Sequence, residues 1–89
     1  MKLIFAEQAW EDYLHWQEID KKMLKRINLL IKETSRTPFA GTGKPEGLKH
    51  ALAGYWSRRI NDEHRMVYKV DGDYLLISNH LKLTWNFLP

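Results

Sequence analysis

A chain of 89 residues has room for one modest hydrophobic core, so residues 1–89 are expected to form a single domain. It contains no cysteine, which excludes a disulfide framework and a thiolate metal site. The formal charge of +3 permits a nucleic-acid partner without requiring one, so the distribution of charge must carry the information.

Lys2 to Ala6 (KLIFA) reads as a first strand. The apolar run it belongs to meets Glu7 too early for a signal peptide or a membrane span, and a cytoplasmic protein is expected. From Glu7 a helix follows, in which Trp10, Tyr13 and Leu14 recur at the spacing of one buried face. Asp20 is the expected N-cap of a second helix, with Met23, Ile27, Leu30 and Ile31 on one stripe and a break at Thr37-Pro38. Acidic residues gather early (Glu7, Glu11, Asp12, Glu18, Asp20), whereas cations dominate from Lys21 onward. The helical lysines fit a solvated face.

The stretch from Thr37 to His50, TPFAGTGKPEGLKH, carries three glycines and two prolines, which opposes regular helix or strand. It places one carboxylate, Glu46, between Lys44 and Lys49. On spacing alone, such a glutamate is most simply a surface ion pair of small energetic worth. Lys49 to Ala53 (KHALA) reads as a weak strand closed by Gly54. Tyr55 to Asn61 and Arg65 to Val70 alternate as strands, and Tyr74 to Ser78 follows a hairpin turn at Asp71-Gly72. The order β-α-α-β-β-β-β makes an α+β fold, a helical hairpin packed on a largely antiparallel sheet.

Cross-strand neighbours share a face, so register has chemical content. Met66, Tyr68 and Val70 should point to the helices together with Trp56 and Ile60, and Arg58 lies with them unless it snorkels out at an edge. A three-residue connection, Asp62-Glu63-His64, sets Ile60 opposite Met66 and Arg59 beside Val67. A two-residue Asp71-Gly72 loop sets Met66 opposite Ile77 and Tyr68 opposite Leu75. Arg59, Arg65, Ser78 and His80 then lie on the face away from the helices.

Two arginines beside Lys44, Glu46 and Lys49 suit a phosphodiester, because guanidinium donors match non-bridging oxygens and lysine adds a point charge. A carboxylate there weakens phosphate binding, and general base catalysis accounts for it. It would take the proton of a ribose 2′-hydroxyl as that oxygen attacks the adjacent phosphorus. Such a reaction cleaves RNA, spares DNA, and needs neither metal nor cofactor. His15, His50 and His64 are expected to be exposed or satisfied histidines, and no His/Asp/Glu set stands at ligand spacing. A phosphate-binding glycine loop and a Ser-His-Asp set are likewise missing from the sequence.

The segments KLIFAEQAWEDYLHWQEIDKK, KRINLLIKET, TPFAGTGKPEGLKH, GYWSRRINDEHRMVYKV and LLI together resemble the YoeB branch of the RelE/ParE toxin superfamily, from Met1 to about Ile77. The resemblance implies a RelE-like microbial RNase fold, two helices on a curved antiparallel sheet. It implies the toxin half of a type II toxin–antitoxin pair, an endoribonuclease that cuts mRNA in the A site of the 70S ribosome and is neutralised by a YefM-like antitoxin. Glu46 maps to the general base, and Arg65 to the residue that stabilises the phosphorane-like transition state. Lys49 and Arg59 map to residues that hold and polarise the phosphate.

The sequence departs from the family in two places. Gly47 stands where the family usually has proline, which loosens the backbone after the base. The ending NHLKLTWNFLP lacks the family's terminal histidine, the general acid for the leaving 5′-oxygen; its counterparts are Leu83 and Thr84. His80 is the nearest histidine and a candidate substitute, and an activity reduced by the altered C-terminus is expected. Trp85, Phe87 and Leu88 suit burial against the sheet or a second copy, which is compatible with a homodimer. Two rivals stand beside this reading. One is a non-catalytic member that binds antitoxin and acts as a transcriptional co-repressor; the other is a ParE-like gyrase inhibitor, which has no need of Glu46 and Arg65.

Overall fold

The computed structural model describes residues 1–79, the side chain of Asn79 excepted. Strand β1 (Lys2–Phe5) leads into helix α1 (Glu7–Ile19) and helix α2 (Lys21–Arg36). A loop then reaches the short strand β2 (Glu46–Gly47), a 3-10 turn at His50–Leu52, and strands β3 (Trp56–Arg59), β4 (Arg65–Asp71) and β5 (Tyr74–Asn79). The five strands form one sheet in the order β1-β5-β4-β3-β2. Only β1 runs parallel to its neighbour, with Leu3 opposite Leu75 and Phe5 opposite Ile77. Among the described residues no helix is long and apolar enough to cross a membrane.

Asp20 alone makes the turn between the helices. Its N–H closes α1 on the Trp16 carbonyl at 2.9 Å, while its Oδ1 accepts from the N–H groups of Lys22 and Met23 at 3.1 Å. A side-chain cap of this kind satisfies donors that the first helical turn would otherwise leave open. Along α2 the buried stripe is Met23, Ile27, Leu30 and Thr34, as the 3.6-residue period demands, and its lysines face solvent. The core joins this stripe to Ala9, Ile60, Met66, Tyr68, Leu75 and Ile77.

The buried face of α1 differs from the expected one. Trp10 and Leu14 are 47% and 40% exposed, and the residues turned inward are Ala9 and Asp12, flanked by the half-buried Tyr13 and Trp16. The small Ala9 side chain, wholly buried, takes the inward position, and the large rings stand to the side. Trp10 stacks on Tyr13 with ring centroids 5.7 Å apart and meets Phe5 edge-on at 5.5 Å. These aromatic pairs hold Trp10 without burying it.

KHALA is not a strand. His50 adopts φ 58 and the segment closes as the 3-10 turn, whereas the extended residues are Glu46 and Gly47, opposite Ser57 and Trp56. Both hairpins are also offset by two residues from the expected register. Arg58 faces Met66 and Arg59 faces Arg65, because Asn61 Oδ1 accepts from the N–H groups of Glu63 and His64 and stabilises a longer connection over residues 60–64. At the other end the turn is Gly72-Asp73, with Gly72 at φ 58 and Asp71 opposite Tyr74. An offset of two preserves the faces. A bulge at Val67/Tyr68 then shifts β5 by one more, so Asn79 and not Ser78 stands opposite Val67. The expected position of His80 lies outside the described residues.

Candidate active site

The loop before β2 is held from below by Arg58. This side chain is fully buried on the helix side, and no described carboxylate lies within ion-pair distance of it. Backbone carbonyls take its donors: Nη1 reaches Thr42 O at 3.0 Å, and Nη2 reaches Thr37 O and Ala40 O, the latter at 2.9 Å. Nε donates to the Tyr68 hydroxyl at 3.3 Å, and that hydroxyl donates to Pro38 O at 2.6 Å. Burial pushes the Tyr68 phenol up from its ordinary value, with Arg58 opposing, so the group remains an O–H donor at neutral pH. The guanidinium thus neither snorkels nor pairs with an acid. It satisfies carbonyls that a loop without regular structure would leave open.

At the end of that loop Gly43 enters the groove between α2 and β3. Its φ is +86, a Cβ there would stand 3.0 Å from Leu30 Cδ2, and its carbonyl accepts from Arg59 N–H at 2.7 Å. Only glycine meets both demands. Lys44 follows at φ 50, exposed, and Glu46 then joins the sheet opposite Ser57. Gly47 is a paired β2 residue, and a Cβ on it would make an ordinary 3.8 Å contact with Trp56. The backbone after Glu46 is therefore fixed by strand pairing and not loosened by Gly47.

On the face away from the helices, alternation collects Glu46, Ser57, Arg59, Arg65 and Val67. Arg65 extends from β4 back across β3. Its Nε donates to Ser57 Oγ at 3.0 Å, and its Nη2 lies 3.6 Å from Glu46 Oε1. Glu46 is therefore the partner of Arg65 and not of the flanking lysines. The pair is asymmetric, for the Glu46 side chain is 45% exposed and that of Arg65 only 16%. Arg65 Nη2 is buried and, beyond its approach to Glu46, makes no hydrogen bond among the described residues. Lys44, Lys49 and Arg59 are exposed, and no described carboxylate lies within ion-pair distance of them.

Sequence reasoning placed Arg59 and Arg65 on one face with the Glu46 loop beside it, and the fold brings Glu46 onto that same face as a β2 residue. Lys44 and Lys49 bracket the site on either side of β2, and neither lies within ion-pair distance of Glu46. His15 and His50 are exposed, but His64 is buried, with its ring edge-on to Trp16 at 5.3 Å and its Nδ1 unpartnered among the described residues. It belongs to the packing of α1 against the β3–β4 connection. Ser57 received no role from the sequence, although its position two residues before Arg59 already set it on the outer face. His80 lies outside the described residues.

Residues 5–82 match the family described as the YoeB-like toxin of bacterial type II toxin–antitoxin systems. Toxin YoeB of Escherichia coli K12 is 64% identical over 78 residues, which cover 88% of this chain and 93% of that protein. The structure of a YoeB/ParE toxin from Agrobacterium tumefaciens superposes with a TM-score of 0.92 at 49% identity, covering 94% of this chain and all of that one. The YoeB–YefM complex of Staphylococcus aureus contains a chain that is 46% identical with a TM-score of 0.87, covering 94% of this chain and 98% of that one. YafQ of Escherichia coli, at 17% identity and a TM-score of 0.75, shares the fold. With its α+β architecture and so much of its length matched, this chain belongs to the YoeB-like toxins of bacterial type II toxin–antitoxin systems.

Proposed function

We propose that this toxin is a metal-independent endoribonuclease that cleaves mRNA in the ribosomal A site. The observation that carries the reading is the 3.6 Å approach of Glu46 Oε1 to Arg65 Nη2, on a face that also presents the exposed Arg59. Glu46 takes the proton of the 2′-hydroxyl, the 2′-oxygen forms a bond to phosphorus, and the bond from phosphorus to the 5′-oxygen breaks. In this reading Arg65, the charged neighbour of Glu46, stabilises the negative charge that develops on the non-bridging oxygens. Arg59, Lys44 and Lys49 hold the strand. The leaving 5′-oxygen must gain a proton, and His80 is the residue we assign to that step.

The partner is a YefM-like antitoxin whose acidic segment covers the arginine face. Support comes from the YoeB–YefM complexes of Staphylococcus aureus, one of them a heterotetramer, and a YoeB dimer from that organism supports a homodimer as the free state. Purified ribosomes programmed with mRNA test the reading. Glu46→Gln should lower cleavage by about 10²- to 10⁴-fold while ribosome binding persists, because it deletes the base and keeps the shape. Arg65→Ala should fall by about 10²-fold or more through lost charge stabilisation. Cleavage at the parental rate by both variants would overturn the reading. Loss of cleavage in His80→Ala would support the assignment of the acid, and an unchanged rate would transfer that step to solvent.

A further inference from the structure

We infer that Ser57 is a positioning residue for the cleavage reaction, fixing the Arg65 guanidinium over the scissile phosphate site. The inference rests on the reading of Arg65 as the group that stabilises the transition state. Strand β3 lies between β2, which carries Glu46, and β4, which carries Arg65, so the two charged groups belong to strands that do not touch. Arg65 is directly opposite Arg59 and reaches Glu46 only by crossing β3 diagonally, over the next outward residue of that strand, Ser57. A diagonal neighbour stands about 7 to 8 Å away, a span that a long side chain covers only when the residue beneath it is small.

Ser57 meets that demand and adds a second element. It has no exposed surface although it lies on the outer face, consistent with the arginine laid across it. Its Oγ accepts from Arg65 Nε at 3.0 Å, the one hydrogen bond that the Arg65 side chain makes among the described residues. Nε sits at the root of the guanidinium plane, so holding it fixes the direction of both terminal nitrogens. Nη2 is thereby aimed at Glu46, which stands opposite Ser57 itself. Without the hydroxyl, an arginine with four rotatable bonds is free to turn away from the phosphate, and small losses of alignment are costly in rate.

The test is a double-mutant cycle on ribosome-bound mRNA. Ser57→Ala keeps the space and deletes the acceptor; it should lower kcat about 10- to 100-fold with little change in ribosome affinity, as expected for a hydrogen bond to a charged group. Ser57→Thr retains Oγ and should recover most of the rate. In an Arg65→Lys background, which has no Nε–H fork to orient, Ser57→Ala should have no further effect. A Ser57→Ala enzyme with parental kcat, or an equal loss in both backgrounds, would overturn the inference. If Arg65→Lys itself cleaved normally, the fault would lie with the catalytic reading of Arg65. A measurement on the unaltered protein guards against a folding defect in the variants. Its Arg65 Nε–H should exchange with water at least tenfold more slowly than that of the exposed Arg36, and equal exchange would also contradict the role.

Discussion

Arg58 and Arg65 are both drawn into the sheet, and they put the same functional group to opposite uses. Arg58 faces the helices and spends its donors on three loop carbonyls and the Tyr68 hydroxyl. Arg65 faces outward, makes one side-chain hydrogen bond among the described residues, to Ser57, and sets a buried Nη2 3.6 Å from Glu46 Oε1. A guanidinium that spends most of its donors on carbonyls stabilises a backbone, whereas one with donors to spare has the chemistry to meet an anion. The loop that Arg58 clamps is the one that leads to Glu46 on the sheet.

The comparison breaks most visibly if Arg58 is replaced. Arg58→Met fills part of the volume but leaves three carbonyls and a phenol without their donor, and unfolding free energy should fall by about 3 kcal/mol or more. Chemical denaturation measures that loss, and cleavage should fall with it because the loop before Glu46 is released. Glu46→Gln should leave the denaturation midpoint nearly unchanged, since a half-exposed ion pair contributes little to stability.

Asp12 sharpens the contrast from the helix side. It is buried, its Oδ1 accepts from Gln8 at 2.9 Å, and its Oδ2 has no partner among the described residues. Burial raises its carboxyl from the ordinary value of 3.8, the charge of Glu11 adds to this, and the Gln8 bond opposes it. The folded state therefore holds the proton more tightly than the unfolded chain. The contribution of Asp12 to stability declines as pH rises from the ordinary value through the raised folded one. Asp12→Asn should remove that decline, so wild type loses stability relative to the variant as pH increases over this window. A difference that grew in the opposite direction would show that the carboxylate is stabilised in the fold.

The smallest effect concerns Gly47. Its backbone is paired, its φ lies outside the left-handed region, and a Cβ fits against Trp56. Gly47→Ala should raise stability by about 0.4 to 1 kcal/mol, readable as a small upward shift in Tm, with cleavage unchanged. A destabilised variant would mean that the open position beside Glu46 is needed.

Much of this was legible in the sequence because strand alternation has a period of two. The register offset in the β3–β4 hairpin left Arg59 and Arg65 on one face, since it was an even number of residues, whereas the pairing of Glu46 with Ser57 was not foreseen. The Asn61 side chain that lengthens the β3–β4 connection is a turn detail that spacing does not reveal, and the β5 bulge is another. Helix α2 was readable from its regular stripe. Helix α1 was not, because a small alanine and a buried aspartate take the inward positions while Trp10 is held by neighbouring rings. The partnership of Arg65 with Ser57 depends on a side chain crossing a whole strand, which no linear pattern records.

If the outward face activates a ribose hydroxyl, removing that hydroxyl from the substrate should block the reaction. An mRNA carrying a single 2′-deoxy nucleotide immediately 5′ of the scissile phosphate should resist cleavage on the ribosome, while the all-ribose mRNA yields a 2′,3′-cyclic phosphate and a free 5′-hydroxyl. Cleavage of the 2′-deoxy substrate at the normal rate, with a 5′-phosphate product, would require water as the nucleophile and would contradict the role given to Glu46.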